Sequence, residues 1–118
     1  MNDKIEEKKR LNKAFEIFDT TFEKNGLQVI GKGIDITSLN WVKVYIEVLV
    51  NDKTKIKDDF RIIVNMYDSD DCIEFHNEEY VESEYLEDLY TAEISFSDVE
   101  FKNLKTINKI RIYLVKAY

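Results

Sequence analysis

Near its middle, this chain has a long run in which every second residue is apolar. From residue 42 to residue 50, Val or Ile occupies each even position, and the side chains between them include Lys43, Tyr45 and Glu47. Successive side chains of a β-strand point to opposite faces, so this pattern predicts a strand with one buried face and one polar face.

Similar alternation recurs at shorter length along the rest of the chain, at residues 33–36, 60–67, 73–75, 90–96 and 110–114. Asn25-Gly26 is a hairpin signal, because both residues tolerate positive φ, and it predicts a turn that sets Phe22 opposite Val29. About seven strands without intervening helices favour an antiparallel arrangement. The sequence therefore predicts a mainly β protein with an immunoglobulin-like antiparallel β-sandwich.

The N-terminal segment has the spacing of a helix. Leu11, Phe15, Phe18 and Phe22 follow one another at intervals of four, three and four residues, which places them on one helical face. We predict a helix over residues 1–19, ordered from about residue 3, and a β-sandwich domain over residues 20–118. A chain of 118 residues is the size of one ordinary domain.

The net charge and the single cysteine indicate which kinds of partner are disfavoured and where in the cell the protein works. The chain has 24 acidic and 17 basic residues, for a net charge of -7, which disfavours nucleic acid and anionic membrane surfaces as partners. Cys72 has no second cysteine to pair with, and no window holds the ~18 apolar residues of a membrane span. The N-terminus does not resemble a signal peptide. These features predict a cytoplasmic protein, unless an export signal has been removed.

The charge is unevenly distributed. Residues 67–100 contain thirteen carboxylates and no Lys or Arg, whereas residues 101–118 contain five basic residues and no acidic ones. One interpretation is that the basic final strand lies beside the acidic segment and compensates it through surface pairs worth ~0–1 kcal/mol each. Even then, eight carboxylates remain without a basic partner from that strand.

A second interpretation is that the surplus carboxylates bind a partner. Tyrosine offers a large contact face and a polar tip, and carboxylates steer basic partners, so tyrosines interleaved with carboxylates suit an interface. The candidate partner-binding residues are Glu78, Glu79, Tyr80, Glu82, Glu84, Tyr85, Glu87, Asp88 and Tyr90. They predict a non-catalytic binding module for a basic protein partner, such as an immunity or inhibitor protein. A solvated loop whose tyrosines fold back onto the core is the structural alternative.

Three further functions stay open. Asp68, Asp70, Asp71 and Glu74 supply oxygen ligands for a calcium-dependent accessory domain, although Ile73 stands where an EF-hand loop needs glycine, and a turn explains the segment more simply. A small enzyme could use surface carboxylates, although no pair is singled out. Self-association could join the acidic strip of one copy to the basic final strand of another. We predict no cofactor.

Cys72 and His76 do not form a catalytic pair in this interpretation. Residues four apart on a strand are separated by ~13 Å, which is beyond the hydrogen-bond reach that activation of a thiol requires. We interpret both as ordinary strand residues.

The segment "VNMYDSDDCIEF", followed by "INKIRIYLVKA", resembles the FxLYD-type bacterial domains. Tyr67 and Asp68 match the motif, while Val64 and Met66 stand where that motif has Phe and Leu. The resemblance implies an immunoglobulin-type sandwich of a kind found on exported bacterial proteins, and it implies no shared catalytic site. The missing signal peptide departs from that context.

Overall fold

The computed structural model describes residues 3–37, 41–97, 99 and 101–117, and within them the chain is mainly β, as predicted. Its elements are α1 (Asp3–Asn12), β1 (Phe15–Ile17), α2 (Asp19–Glu23), β2 (Leu27–Ile36), β3 (Val42–Val50), β4 (Phe60–Tyr67), β5 (Ile73–Val81), β6 (Leu89–Phe96), α3 (Phe101–Leu104) and β7 (Lys109–Lys116). Short 3₁₀ turns at Lys53–Lys55 and Ser83–Tyr85 connect β3 to β4 and β5 to β6.

The strands form two sheets. The first has the order β1-β7-β4-β5 and the second the order β2-β3-β6. All pairs are antiparallel except β1 with β7, which is parallel. Strands β5 and β6, which follow each other in sequence, are therefore edge strands of different sheets, and the chain between them passes from one sheet to the other.

One hydrophobic core lies between the inner faces of the two sheets. The alternation predicted for β3 is confirmed, since Val42, Val44, Ile46 and Val48 are fully buried. The two N-terminal helices each contribute a fully buried side chain, Leu11 from α1 and Phe22 from α2. The helices thus cover one side of the same core.

The N-terminal helix is shorter than predicted. It ends at Asn12, and residues 15–17 form strand β1 beside β7, with Phe15 opposite Ile110 and Ile17 opposite Ile112. The residues Phe-Glu-Ile fit the alternation of a strand as well as the spacing of a helix. The strand forms because the edge of β7 supplies hydrogen-bond partners that a continued helix would not use. Phe18 consequently leaves the predicted apolar face and is 42% exposed.

The predicted hairpin at Asn25-Gly26 is wrong. Residues before it form helix α2, which ends at Glu23, and Gly26 lies in the turn that follows with a φ of 80°, where its N–H donates to Glu23 O at 3.0 Å. Glycine tolerates the left-handed conformation that commonly ends helices as well as the one that hairpin turns use, so the same signal fits both.

The basic final strand does not lie beside the acidic edge strand. β4 separates β7 from β5. Lys109 reaches Asp71 of the acidic segment at 3.1 Å, but Arg111 pairs with Glu16 at 3.1 Å and Lys116 pairs with Asp58 at 3.5 Å, both outside that segment. The final strand is therefore compensated largely by other parts of the chain.

Candidate partner-binding site

The predicted partner-binding residues lie on β5, on the connection at residues 82–88, here called the acidic loop, and at the start of β6. The acidic loop crosses one end of the molecule from the first sheet to the second. Leu86 lies in its centre and is 1% exposed, so it anchors the loop in the core while its neighbours remain at the surface.

Two of the predicted residues bond to each other inside this edge. The Tyr90 hydroxyl donates to Glu79 Oε2 at 2.5 Å, linking the two sheets. Burial of the ring and the hydrogen bond to the Glu79 carboxylate raise the pKa of Tyr90, because both disfavour the phenolate. Glu79 and Tyr90 therefore hold the edge together, and their polar groups are already engaged.

Glu78 lies on the opposite side of β5 from Glu79, because neighbouring strand residues face opposite ways. Its carboxylate is 3.6 Å from Arg61 on the adjacent strand β4. Glu78 thus belongs to the outer face of the first sheet and is paired there.

The side chains of the acidic loop are the exposed part of the predicted set. Tyr85 is 67% exposed, and it is surrounded in sequence by the exposed carboxylates of Glu82, Glu84, Glu87 and Asp88. Within the described part of the chain, none of these four carboxylates forms a salt bridge. A hydrogen bond with Glu84 raises the pKa of Glu82, as expected for two carboxyl groups that crowd each other.

Two exposed side chains border the loop. Tyr80, at the end of β5, is 53% exposed, and Leu89, at the start of β6, is 54% exposed. Leu89 was not predicted as a site residue. The sequence does contain a sign of its exposure, because Leu89 is an apolar residue on the same face of β6 as the polar residues Thr91 and Glu93. We call Tyr80, Leu89 and the exposed residues of the loop the acidic surface.

Asp59, also missed in the sequence, fixes the position of the acidic loop. Its carboxylate accepts hydrogen bonds from the Tyr80 hydroxyl at 2.5 Å, the Ser83 N–H at 2.9 Å and the Ser83 hydroxyl at 3.2 Å. The hydrogen bond from Tyr80, followed by that from the Ser83 backbone, lowers the pKa of Asp59. No local pattern in the sequence identifies Asp59, because its partners lie more than twenty residues away.

The calcium candidates lie at the other end of the molecule, in the turn between β4 and β5. Asp68 Oδ1 accepts the N–H groups of Asp70 at 2.9 Å and Cys72 at 3.0 Å, which makes it the stabilising acceptor of that turn. Asp71 pairs with Lys109. Among the described residues, no group of three or more His, Cys, Asp or Glu side chains is arranged to hold a metal ion.

A cleft of about 380 Å³ beside this turn contains Asp68, Glu74 and Arg10. The hydrogen bond from the Cys72 N–H lowers the pKa of Asp68, and a hydrogen bond with Asp68 raises the pKa of Glu74. Arg10 is also engaged, because its guanidinium donates to Leu104 O and Ile107 O.

Cys72 and His76 have separate surroundings. Cys72 is exposed and free, and its sulfur lies 3.9 Å from Asp70 O. His76 Nδ1 lies 2.5 Å from Oδ1 of Asn65, a residue that is only 4% exposed. His76 thus pairs with a buried amide on the neighbouring strand.

Comparison of the chain with protein-family models, with curated protein sequences and with solved structures gave no match. Among the helices of the described residues, none is long and apolar enough to cross a membrane.

Proposed function

We propose that this protein is a non-catalytic binding module that recognises a basic protein partner through the acidic surface. The observation that carries the proposal is Tyr85, which is 67% exposed in a loop whose four carboxylates form no salt bridge in the described part of the chain. Unpaired carboxylates repel one another, so a cationic partner relieves a cost that the free protein carries.

Apolar contact would come from Tyr85 at the centre of the acidic surface and from Tyr80 and Leu89 at its borders. Tyrosines bury a large area at a low cost in conformational entropy, and they are frequent among the residues that dominate binding energy. The surrounding carboxylates would steer a basic surface into contact and raise the association rate at low salt.

Two contacts support a loop that is ordered before binding. Asp59 bonds both the Ser83 backbone and the Tyr80 hydroxyl, and Leu86 is buried beneath the loop. A surface held in this way loses little conformational freedom on association, and that saving contributes to affinity. One cellular form of this activity is neutralisation of a basic toxin or nuclease by an immunity or inhibitor protein, with the carboxylates imitating nucleic acid phosphates.

We also propose a finer assignment of the fold. Two sheets around one core support an antiparallel β-sandwich that is immunoglobulin-like in architecture. Its strand order differs from that of immunoglobulin constant domains, in which the third, sixth and seventh strands share a sheet. The turn-forming contacts of Asp68 support the FxLYD-like motif at Tyr67-Asp68. An exposed free thiol at Cys72 supports a reducing, cytoplasmic location.

The test compares a site variant with a matched control. The site variant combines Tyr85→Ala, Glu82→Gln and Glu84→Gln. The control combines Trp41→Ala, Glu6→Gln and Glu23→Gln, which removes the same number of charges and one exposed aromatic ring elsewhere. Each protein is used to capture proteins from lysate of the source organism, and any captured protein is purified and titrated.

We expect one basic protein to bind the wild type and the control with similar dissociation constants. The site variant should bind it at least about tenfold more weakly, and 0.5 M NaCl should weaken the wild type. Equal binding by the site variant and the wild type, or no reproducible partner at all, would contradict the proposal.

A further inference from the structure

The end of the molecule that carries the acidic loop also carries a basic cleft. It has a volume of about 450 Å³, and its lining includes four lysines, Lys24, Lys55, Lys57 and Lys116, together with Asp58. These lysines come from the end of α2, the β3–β4 connection and the end of β7. The fold therefore brings together lysines that do not form one continuous basic segment in the sequence.

The segments that carry the lysines are fastened together by backbone contacts. Gly26 O accepts the N–H groups of Asn51 at 2.8 Å and Asp52 at 3.1 Å, which joins the end of α2 to the β3–β4 connection. A Cβ at Gly26 would lie 2.2 Å from Asp52 O, so the close approach depends on glycine. Asp52 in turn caps the Lys53–Lys55 turn by accepting the Thr54 N–H.

The positive charge of this cleft is only partly compensated. Lys116 pairs with Asp58 at 3.5 Å. Lys24, Lys55 and Lys57 form no salt bridge within the described part of the chain. Lys55 does interact with one nearby carboxylate, since hydrogen bonds from Thr54 and the charge of Lys55 together lower the pKa of Asp52. Cations that face a common cleft repel one another, and an anion placed among them would relieve that repulsion. In a protein with a net charge of -7, this concentration of lysines runs against the overall sign.

We propose that the basic cleft binds a small anion bearing phosphate groups. Ammonium groups bind phosphate oxygens as flexible point charges, and several of them around one cleft suit a ligand with more than one negative charge. Asn25 and Thr54 also line the cleft, but the Asn25 amide donates to Thr21 O at 2.8 Å and the Thr54 hydroxyl donates to Asp52 Oδ1, so the lysines carry the binding of the anion. This inference rests on different residues from the proposed partner binding and does not depend on it.

The surroundings favour a small anion over a nucleic acid strand. Asp59 lies two residues after Lys57 and bonds the Ser83 N–H, so the acidic loop begins directly beside the basic cleft. A long phosphate backbone leaving the cleft on that side would meet the carboxylates of Glu82 and Glu84. A ligand that fits within about 450 Å³ avoids them.

The inference is tested by titrating the full chain with inorganic pyrophosphate at constant ionic strength, with heat of binding as the readout. The variant is Lys55→Gln/Lys57→Gln. The control is Lys4→Gln/Lys9→Gln, which removes the same charge from exposed positions on α1. We expect saturable binding at one site in the wild type and the control, and a dissociation constant about tenfold higher in the variant.

Two further titrations make the result specific. The Tyr85→Ala/Glu82→Gln/Glu84→Gln variant should bind pyrophosphate at least as well as the wild type, which separates this cleft from the acidic surface. A single-stranded oligonucleotide should bind more weakly than pyrophosphate. Equal pyrophosphate affinity in the wild type and Lys55→Gln/Lys57→Gln, the absence of saturable binding, or tighter binding of the oligonucleotide would each overturn the proposal.

Discussion

At the scale of single residues, Asp59 fixes the position of the acidic loop although it lies outside that loop. It accepts hydrogen bonds from the side chain of Tyr80 and from both the backbone and the side chain of Ser83. Because the hydrogen bonds favour the ionised form, the position of the acidic loop is coupled to the charge of Asp59.

The coupling predicts a pH-dependent effect of Asp59→Asn. The pKa of Asp59 is lowered in the folded protein, so ionised Asp59 contributes stability that is fully present above its unfolded pKa of about 4. That contribution is lost as the pH falls through the lower folded pKa. We expect the variant to be less stable than the wild type at pH 7, with a difference that shrinks below about pH 4.

Urea denaturation at a series of pH values measures this difference. Asp88→Asn is the control, because Asp88 is an exposed carboxylate of the same loop that lies outside this hydrogen-bond cluster. A constant difference between Asp59→Asn and the wild type from pH 7 to pH 3 would show that Asp59 acts through its shape alone.

At the scale of secondary-structure elements, the length of a pattern decides how well the sequence predicts it. β3 and β4 have long apolar alternation, and both strands form where they are predicted. Short segments such as β1 satisfy helix and strand patterns equally, so their tertiary partner decides. β5 extends well beyond its predicted end because Asn77 and Glu79 occupy its inner face and bond across to β6, which an apolar pattern does not reveal.

Among the described side chains of helix α1, Leu11 is the one that belongs to the hydrophobic core, and its contribution to stability can be tested. Leu11 is 0% exposed, whereas Ile5, six residues earlier on the same helix, is 49% exposed. We expect Leu11→Ala to lower the free energy of unfolding by about 2–5 kcal/mol, the usual cost of removing a buried leucine side chain. Ile5→Ala should change it by less than about 0.5 kcal/mol.

Denaturation in urea compares the two variants directly. Similar, small losses for Leu11→Ala and Ile5→Ala would mean that α1 contributes little to the core and only flanks it. A large loss of unfolding free energy for Leu11→Ala alone would show that α1 unfolds together with the rest of the protein.

At the scale of the whole molecule, the sequence predicts the acidic surface better than the basic cleft. The acidic loop is continuous in the chain, so a count of charge along the sequence finds it. The lysines of the cleft lie at positions 24, 55, 57 and 116. The first three have carboxylates close to them in sequence and the fourth lies in the last few residues, so a count of charge along the sequence does not group them. Only the fold brings them together, as it also brings Asp59 to the loop.

The separation of charge predicts that carboxylates in different places affect stability with opposite signs. Glu84 crowds Glu82 and raises its pKa, whereas Glu16 pairs with Arg111 at 3.1 Å and Lys109 at 3.9 Å. In a protein with a net charge of -7, Glu84→Gln should raise the melting temperature and Glu16→Gln should lower it, each by about 2 °C at low salt. Both shifts should shrink in 0.5 M NaCl, because salt screens surface charges.

Thermal unfolding of the two variants at low and high salt gives this comparison, with the same charge removed in each. A higher melting temperature for Glu84→Gln, together with weaker binding of a basic partner, would mean that the charge of the acidic loop serves binding and lowers stability. A fall for Glu84→Gln would instead mean that its carboxylate supports the loop, and the electrostatic argument for the acidic surface would lose its basis.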